Sequence, residues 1–388
     1  MAKKLVTLIH LDRYVGGALL LAAKIPVIVA GFLLRRDHSL DPKGDILIIK
    51  LLGAGSLVIA LPNLLELRRR FSDRRICLLT SRNVAGFAHA IKIFDEIHIV
   101  ETDGFLRLAR SMLSAIYRLF GIDTVIDLEP YSRGATLVAA LLCARNRLAF
   151  FIDEPFWKRR IATHLLFLSH SSAVYEFYDQ LFGLLDVFPA ERSQVRTHLL
   201  DQRDHLARKR GEGRRISIGP ASSELAKERQ LTPMGWAYVL SKRFSRSDAV
   251  TFEIIGGPTD RSFGDKIAEA IRKAFPSATV INSCGVYNPD EVVLAIESAD
   301  EFWGIDSLLL HIARALKKTT TSFWGPTAPY LLLRDMSPEL DHVFYEKIIC
   351  SPCVHISAQP PCRGDNICLQ RISGVAASRE RVPLWLVT

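Results

Sequence analysis

Two kinds of hydrophobic pattern alternate along this chain. Short runs in which nearly every residue is apolar, such as DILIIK at 45–50, are separated by stretches in which apolar residues recur every three or four positions. The runs are typical of strands in a parallel sheet that is buried on both faces, and the second pattern is typical of helices that pack through one side. Because the two alternate regularly, the pattern predicts right-handed βαβ units in doubly wound parallel sheets.

The alternation occurs twice and so predicts two Rossmann-like α/β domains. The strands predicted for the first domain lie at 45–50, 76–80, 96–100, 124–128 and 147–151, and its helices at 57–71, 84–92, 105–120, 134–144 and 175–186. The strands predicted for the second domain lie at 216–219, 250–255, 279–282, 300–304 and 319–324, and its helices at 233–244, 260–275, 290–298 and 307–316. The charged run at 189–214 predicts a linker. The expected organisation is an N-terminal segment at 1–43, domains at 44–188 and 215–349, and a C-terminal tail at 350–388.

The N-terminal segment contains a long apolar stretch at 16–34, which is interrupted by Lys24 and Pro26. Basic residues flank this stretch, namely Lys3, Lys4, Arg13, Arg35 and Arg36. A membrane-spanning helix needs about 20 apolar residues, and a lysine near its middle is costly. A cleaved signal peptide would carry small residues where the arginine pair stands. The favoured interpretation is a helix that lies on the inner membrane surface, held by its basic flanks; a single span and a helix packed on the protein itself stay open.

The stretch at 301–327 carries the first candidate chemistry. Asp306 stands just past the carboxyl end of a predicted strand, and a helical pattern begins at Ser307. Open α/β sheets bind ligands at this edge, and the unpaired amides at a helix amino terminus suit a phosphate group. Asp306 or His311 could then hold substrate hydroxyls. The structural alternative is that Asp306 only caps the helix and that His311 is an interior histidine.

Composition and charge narrow the class of protein. With 388 residues, 49% of them hydrophobic and 23% charged, the chain is of a globular type and long enough for two domains. The chain has a net charge of +9 and contains several arginine pairs. Such pairs could bind an anionic membrane, phosphorylated substrates or nucleic acid. Nucleic acid is the weakest of the three, because the sequence contains neither a zinc-finger spacing nor a recognisable RNA-binding motif.

Five segments, in the expected order, resemble glycosyltransferase family 9, the ADP-heptose:lipopolysaccharide heptosyltransferases. They are DILIIKLLGAGSLVIALPNLLELRRRF, GPASSELAKERQLTP, EIIGGPTD, GIDSLLLHIARAL and FWGPT, and the likeness covers roughly residues 44–368. The resemblance implies a GT-B fold, in which two Rossmann-like domains face a cleft, the first binding the acceptor and the second the nucleotide sugar.

The resemblance also implies an activity. This activity is the inverting transfer of a heptose-like sugar from a nucleotide-sugar donor to a lipopolysaccharide-core or other lipid-linked glycan. The favoured donor is an ADP-sugar. No cofactor or metal is required, and the expected location is cytoplasmic, peripheral on the inner face of the bacterial inner membrane.

The family's donor-binding residues carry over unevenly onto this sequence. The matching positions are Ser222, Ser223, Lys227, Asp260, Asp306, Ser307, His311, Gly325 and Thr327. Lys227 and the two serines match the groups that hold the donor phosphates, and Asp260 matches an acid near the base or ribose. Asp306 and His311 match the ends of the family motif D-T-G-x-x-H, but Leu308 replaces its glycine. The resemblance therefore leaves the nucleotide and sugar preference undecided.

The first loop departs from the family at the residue expected to act as the base. The family has an aspartate after Gly55, and this chain has Ser56, which cannot accept a proton at neutral pH unless another group activates it. Glu129, at the carboxyl end of a first-domain strand, is the best replacement, followed by Asp127. The alternatives are that Glu129 forms a structural ion pair with Arg133, and that the chain is a non-catalytic pseudoglycosyltransferase that scaffolds envelope glycan assembly.

Seven cysteines complete the candidate chemistry. Cys77, Cys143 and Cys284 lie in apolar segments and are predicted core thiols. The four in the tail, with His355 nearby, have the spacing C-x2-C-x8-C-x5-C and are Cys350, Cys353, Cys362 and Cys368. This pattern is a candidate structural zinc site, although free thiols bracing a loop are the default expectation for a cytoplasmic protein.

Overall fold

Two six-stranded parallel sheets form the framework of the protein, as the alternating pattern predicts. The computed structural model describes residues 12–34, 36–152, 155–169, 171–201, 203, 213–222, 227–354, 362 and 365–374. The chain divides into two units, one up to Glu191 and one from Arg192 onward. The two sheets confirm the predicted doubly wound α/β fold.

The first unit has the sheet order β3-β2-β1-β4-β5-β6. Its strands are β1 (Ile46–Ile49), β2 (Ile76–Ser81), β3 (Glu96–Val100), β4 (Thr124–Asp127), β5 (Asn146–Phe151) and β6 (His164–Phe167). Its helices are α1 (Gly17–Leu33), α2 (Ala54–Ile59), α3 (Leu61–Arg70), α4 (Arg82–Ala90), α5 (Phe105–Leu119), α6 (Arg133–Leu141) and α7 (Val174–Gly183). Every residue of β1 is buried, as expected for a central strand covered on both faces. The neighbours of β1 are β2 and β4, so the carboxyl ends of these three strands meet at one edge.

Two details of the first unit differ from the predicted elements. The single helix predicted at 57–71 is two helices, with Ala60 between them and Pro62 in the first turn of the second. Proline is well tolerated there because a first-turn amide has no helical acceptor. The edge strand β6 pairs with β5 and was not predicted. Its residues are half-buried or exposed, and its apolar run at 165–168 is short.

The second unit has the sheet order β12-β11-β10-β7-β8-β9. Its strands are β7 (Arg214–Gly219), β8 (Val250–Ile254), β9 (Thr279–Asn282), β10 (Glu301–Ile305), β11 (Thr319–Trp324) and β12 (Asp341–Tyr345). Its helices are α8 (Arg192–Asp201), α9 (Pro233–Ser241), α10 (Arg261–Ala274), α11 (Pro289–Ser298), α12 (Leu308–Ala315), α13 (Pro329–Leu332) and α14 (Ile367–Ile372). Helix α8 occupies part of the stretch predicted as a linker, and β12 was not predicted.

Close packing at the centre of the second sheet explains two of its glycines. A Cβ atom at Gly219 or at Gly304 would lie 2.6 Å from the ring of Phe302, closer than real Cβ contacts allow. The ring of Phe302 is completely buried. The absence of a side chain at these two glycines therefore leaves room for the Phe302 ring against strands β7 and β10. The candidate site lies at the carboxyl ends of the same sheet.

Among the described residues, the helical stretch Tyr14–Leu33, which contains α1, is the one long and apolar enough to cross a membrane, judged by length and composition alone. The first half of α1 contacts the rest of the first unit, where Leu20 packs against Ala140 and Ile161. Lys24 also faces the unit, because its ammonium group donates to the carbonyl of Phe156. Most of the helix nevertheless stays exposed, and Phe32 has 82% of its surface in contact with solvent. The helix thus has one face partly packed on the protein and an apolar face directed outward.

Candidate active site

The first candidate site lies at the carboxyl ends of β10 and β11 in the second unit. Asp306 follows β10 directly and is only 4% exposed. Ser307 is the residue before α12, with extended backbone and no side-chain cap bond to the helix. The first amides of α12 have no acceptor within the helix. A buried carboxylate therefore stands beside an uncapped helix amino terminus, as the sequence predicts.

The carboxylate of Asp306 is held by three side chains. Arg229 Nη1 lies 3.1 Å from Oδ2, and His311 Nε2 lies 3.5 Å from Oδ1. Thr327, from the loop after β11, donates a further hydrogen bond to it. Burial alone would raise the pKa of Asp306, but Arg229, His311 and Thr327 outweigh it and hold that pKa well below its usual range. Asp306 is therefore ionised at neutral pH, and His311 is buried against it.

Arg229 is a residue that the sequence reasoning missed. It ends a short 3-10 helix, Lys227–Arg229, so it stands two positions after the predicted phosphate ligand Lys227. Besides the ion pair, its guanidinium donates to the backbone carbonyl of Asp306 at 3.4 Å. The sequence feature that could have indicated Arg229 is that it is the second basic residue of the AKERQ segment. Its guanidinium contacts Asp306 at the end of β10.

The other predicted donor residues lie around the same sheet edge. Ser222 is half-buried in the segment that follows β7, and Lys227 is exposed. Ser223 lies outside the described residues. Gly325 follows β11 and packs on Cys368, since a Cβ atom there would come within 2.5 Å of the Cys368 sulfur. Because β7 and β11 are the two neighbours of β10, these residues and Asp306 belong to adjacent strand ends.

Asp260 has a local structural contact in the turn after β8. Its Oδ2 accepts a hydrogen bond of 2.8 Å from the amide of Gly257. Asp260 also lies immediately before α10, in the last position of the 3-10 helix Pro258–Asp260. The carboxylate therefore shapes the Gly256-Gly257 turn, and its predicted contact with a base or ribose stays a prediction.

The second candidate site lies in the first unit, where β1 and β4 end side by side. Glu129 is 7% exposed, and its Oε1 accepts hydrogen bonds from three donors. They are Lys50 Nζ at 3.1 Å, the amide of Leu51 at 2.7 Å and the amide of Leu52 at 2.8 Å. The carboxylate thereby ties the end of β4 to the loop that leads into α2. The ion-pair partner of Glu129 is therefore Lys50 and not Arg133, the partner predicted by the structural alternative. The guanidinium of Arg133 lies 3.9 Å from the centre of the Trp157 ring.

Asp127 lies deeper than Glu129 in the same cluster. Its carboxylate accepts from the amide of Glu129 at 2.9 Å and from Thr136 Oγ1 at 3.1 Å. Lys158 Nζ lies 3.7 Å away. Burial raises the pKa of Asp127, and Lys158 only partly opposes this effect. With 1% of its surface exposed, Asp127 is placed to position Glu129 through the backbone.

Ser56 lies in the first turns of α2 and belongs to the same cluster. Its hydroxyl forms a hydrogen bond with Tyr178, a buried residue of α7 whose pKa is raised mainly by burial. Burial alone would lower the pKa of Lys50, but Glu129, Tyr178 and Asp127 outweigh it and leave that pKa raised. Lys50 is therefore a buried cation that pairs with Glu129 and interacts electrostatically with Tyr178, the hydrogen-bond partner of Ser56. Sequence reasoning missed Lys50, Tyr178 and Lys158.

The four tail cysteines are free thiols in the structure, and Cys353 and Cys368 are buried. Burial raises the pKa of Cys368 to about 12. The amide of Cys353 donates to the carbonyl of Pro326 at 3.0 Å, so this segment packs on the loop that carries Thr327. The zinc site stays a prediction, and His355 lies outside the described residues.

One group of ligand atoms among the described residues has metal-like spacing. Sulfur of Cys77, a carboxylate oxygen of Glu96 and a ring nitrogen of His98 all lie within 4.8 Å of one another. The other carboxylate oxygen of Glu96 pairs with Arg75 at 2.9 Å. Cys77 and Glu96 stand at the amino ends of β2 and β3, the opposite edge from Glu129. This group is therefore separate from the candidate active site.

Residues 177–362 match the model of glycosyltransferase family 9 (heptosyltransferase). No curated protein sequence matches the chain significantly.

Three solved structures show the same fold. The glycosyltransferase family 9 protein from Veillonella parvula DSM 2008 has a TM-score of 0.58 and 16% identity, over 80% of this chain and 87% of that one. Heptosyltransferase WaaC of E. coli, solved with ADP, has a TM-score of 0.60 and 15% identity, over 78% of this chain and 93% of that one. ADP-heptose lps heptosyltransferase II of E. coli has a TM-score of 0.56 and 16% identity, over 85% and 98%. The chain thus matches glycosyltransferase family 9 (heptosyltransferase) over residues 177–362, just under half of its length, and shares its fold with these three structures.

Proposed function

We propose that this protein is an inverting glycosyltransferase that moves a heptose-like sugar from a nucleotide-diphosphate donor to a lipopolysaccharide-core or other lipid-linked acceptor. The observation that carries the proposal is the ionised Asp306, held by Arg229 and His311 beside the uncapped amino terminus of α12. This arrangement lies within the residues that match the family. ADP-heptose is the first donor to test, since a neighbouring structure holds ADP.

In the proposed donor site, the diphosphate binds at the start of α12, where backbone amides and the positive end of the helix dipole favour an anion. Lys227 supplies a charge-assisted hydrogen bond to the phosphates. Asp306 accepts hydrogen bonds from hydroxyls of the nucleotide or sugar, and His311 donates a hydrogen bond to a hydroxyl or accepts one from it. Leu308 stands where the family has glycine, and its side chain shapes the phosphate pocket.

The proposed reaction is a single in-line displacement. A base removes the proton of the acceptor hydroxyl as that oxygen bonds to the anomeric carbon. The bond from this carbon to the diphosphate oxygen breaks, and the diphosphate leaves with the electron pair. Lys227 and the α12 amides stabilise the charge that develops on the leaving group. Glu129 is the proposed base, with Asp127 positioning it and Ser56 contacting the acceptor.

The rival proposal is a nucleotide-sugar-binding pseudoenzyme, and Ser56 in place of an aspartate favours it. Transfer or hydrolysis of a nucleotide sugar by the purified protein separates the two functions. Donor identity can be measured first by thermal unfolding, because a ligand that binds only the native state raises the midpoint. No rise with any nucleotide diphosphate or nucleotide sugar would contradict both proposals.

Lys227→Ala is expected to weaken binding of the nucleotide diphosphate by about 1.5–3 kcal/mol, because a charged ligand loses a charged hydrogen-bond partner. Isothermal titration calorimetry with ADP measures the change. Lys266→Ala provides the matched control, since Lys266 is an exposed lysine on α10 of the same unit. Equal affinities of the Lys227 variant and the parental protein would remove Lys227 from the donor site.

The proposed location is peripheral, on the inner face of the inner membrane, with α1 lying in the interface. Phe32→Asp combined with Leu33→Asp is expected to reduce cosedimentation with anionic vesicles, because both side chains are exposed and would enter the lipid. The thermal midpoint should stay unchanged. Vesicle binding equal to that of the parental protein would show that α1 is a packing element.

A further inference from the structure

Helix α5 carries an apolar outer face that the glycosyltransferase proposal does not use. Its exposed large side chains, together with that of the residue just after it, are those of Phe105, Leu106, Leu113, Tyr117 and Phe120. Leu106, Leu113 and Tyr117 are separated by seven and four positions, so they lie along one side of the helix. Tyr117 is 87% exposed and Leu106 is 81% exposed. A helix face with this many exposed large apolar side chains is typical of a site that interacts with a protein or a membrane.

The positive charge of α5 favours an anionic membrane as the partner of this face. The sequence of Phe105–Leu119 contains three arginines and no acidic residue. Arg107, Arg110 and Arg118 are all exposed, and they are interleaved with the apolar side chains. A helix that presents leucine, aromatic residues and arginine on one outward side has the composition of helices that lie in the membrane interface, where the arginines meet lipid phosphates.

The position of α5 in the fold points to the same partner. Ala115 and Leu119 of α5 share a core cluster with Ala135 and Val138 of α6, so both helices cover the same side of the sheet. Helix α1 lies on α6, because Leu20 packs against Ala140. The outward apolar residues of α1 and α5 therefore belong to one side of the first unit.

We propose that α5 is a second membrane-binding helix, which docks the first unit on an anionic bilayer. Leu113 and Tyr117 enter the boundary between headgroups and acyl chains, and the three arginines bind lipid phosphates. The proposal extends the membrane location given under the proposed function, but it depends neither on α1 binding lipid nor on sugar transfer. It assigns a broad membrane face to the first unit, the same unit that carries Glu129, so that a lipid-linked acceptor would be presented to this unit at the bilayer.

The test uses the full chain and vesicles of phosphatidylcholine with or without phosphatidylglycerol. Leu113→Asp combined with Tyr117→Asp is expected to lower the partition coefficient onto anionic vesicles by at least roughly tenfold, since apolar contacts are replaced by repelled charges. The control is Phe188→Asp combined with Ile349→Asp, which makes the same chemical change at two exposed apolar residues elsewhere. Far-UV circular dichroism and the thermal midpoint check that each variant is folded.

The arginines are tested separately by combining Arg107→Gln, Arg110→Gln and Arg118→Gln. Binding to anionic vesicles should become less dependent on salt, because fewer counterions are exchanged, while the weak binding to neutral vesicles stays the same. An unchanged salt dependence would overturn the assignment of these arginines to lipid phosphates.

Three outcomes separate this inference from its alternatives. Loss of binding in the α5 variant with normal binding in the α1 variant supports the inference and removes only the α1 location. Parental binding by the α5 variant, or an equal loss in the control, overturns the inference. A parental chain that is dimeric without vesicles in sedimentation velocity, and an α5 variant that is monomeric, would also overturn it, because the face would then bind a second copy of the chain.

Discussion

Replacing Glu129 with glutamine is expected to lower turnover by roughly 10²–10⁴-fold while donor affinity stays unchanged. The amide keeps the size of the side chain and an oxygen that accepts from the amides of Leu51 and Leu52. It cannot accept the proton of the acceptor hydroxyl. Steady-state transfer with the donor identified by thermal unfolding measures the rate, and calorimetry measures the affinity.

The structure adds a second expected effect of this change, on stability. Lys50 is 5% exposed and loses its carboxylate partner, which leaves an uncompensated buried charge. Adding Lys50→Met to Glu129→Gln should restore the thermal midpoint without restoring turnover. If the double variant recovers both, Glu129 acts only by tying the loop before α2 to β4.

Ser56→Asp is the complementary change for the catalytic role. It restores the carboxylate that the family carries at this position and should recover part of the turnover lost in Glu129→Gln. Transfer at the parental rate by Glu129→Gln would instead make Glu129 structural, and Asp127 would be the next base to test. If nucleotide binds and no donor and acceptor pair reacts with the parental protein, the pseudoenzyme proposal is favoured.

Asp341→Asn is expected to cost about 3–5 kcal/mol of unfolding free energy in the second unit, as for removal of one partner from a buried ion pair. The Asp341 side chain is fully buried. Its two oxygens accept from Arg314 Nε at 2.8 Å and Nη2 at 3.1 Å, and further bonds come from Thr320 and the amide of Ser337. Urea unfolding followed by the fluorescence of Trp236, Trp303 and Trp324 measures the change. The exposed pair of Glu269 and Lys273 supplies the control, since Glu269→Gln should leave the transition unmoved.

The same substitution should change how stability depends on pH. Burial alone would raise the pKa of Asp341, but hydrogen bonding and charge from Arg314 outweigh it and lower that pKa in the folded protein. The stabilisation is therefore present above the pKa of the unfolded chain and is lost as pH falls through the folded value. Asp341→Asn should flatten the acid limb of the stability curve, and an unchanged acid limb would contradict this account.

Several central strands could be predicted from the sequence because burial on both faces favours a nearly continuous apolar run. β1, with the sequence ILII, is such a strand. Two of the four edge strands, β6 and β12, were missed: β6 carries only the short apolar run at 165–168 and is partly exposed, and β12 has mostly half-buried or exposed positions over its five residues. Helix α8 was missed because its amphipathic pattern is weak within a charged stretch.

The candidate site was predictable only where its residues are close in sequence. Asp306 and His311 are five positions apart on a strand end and the helix that follows, so local spacing brings them together. Arg229 is 77 residues from Asp306, and Lys50 is 79 residues from Glu129. These pairs depend on which strands become neighbours, β7 beside β10 and β1 beside β4. Many strand orders satisfy the same apolar pattern, so only tertiary packing decides that a buried lysine meets Glu129 and that an arginine meets Asp306.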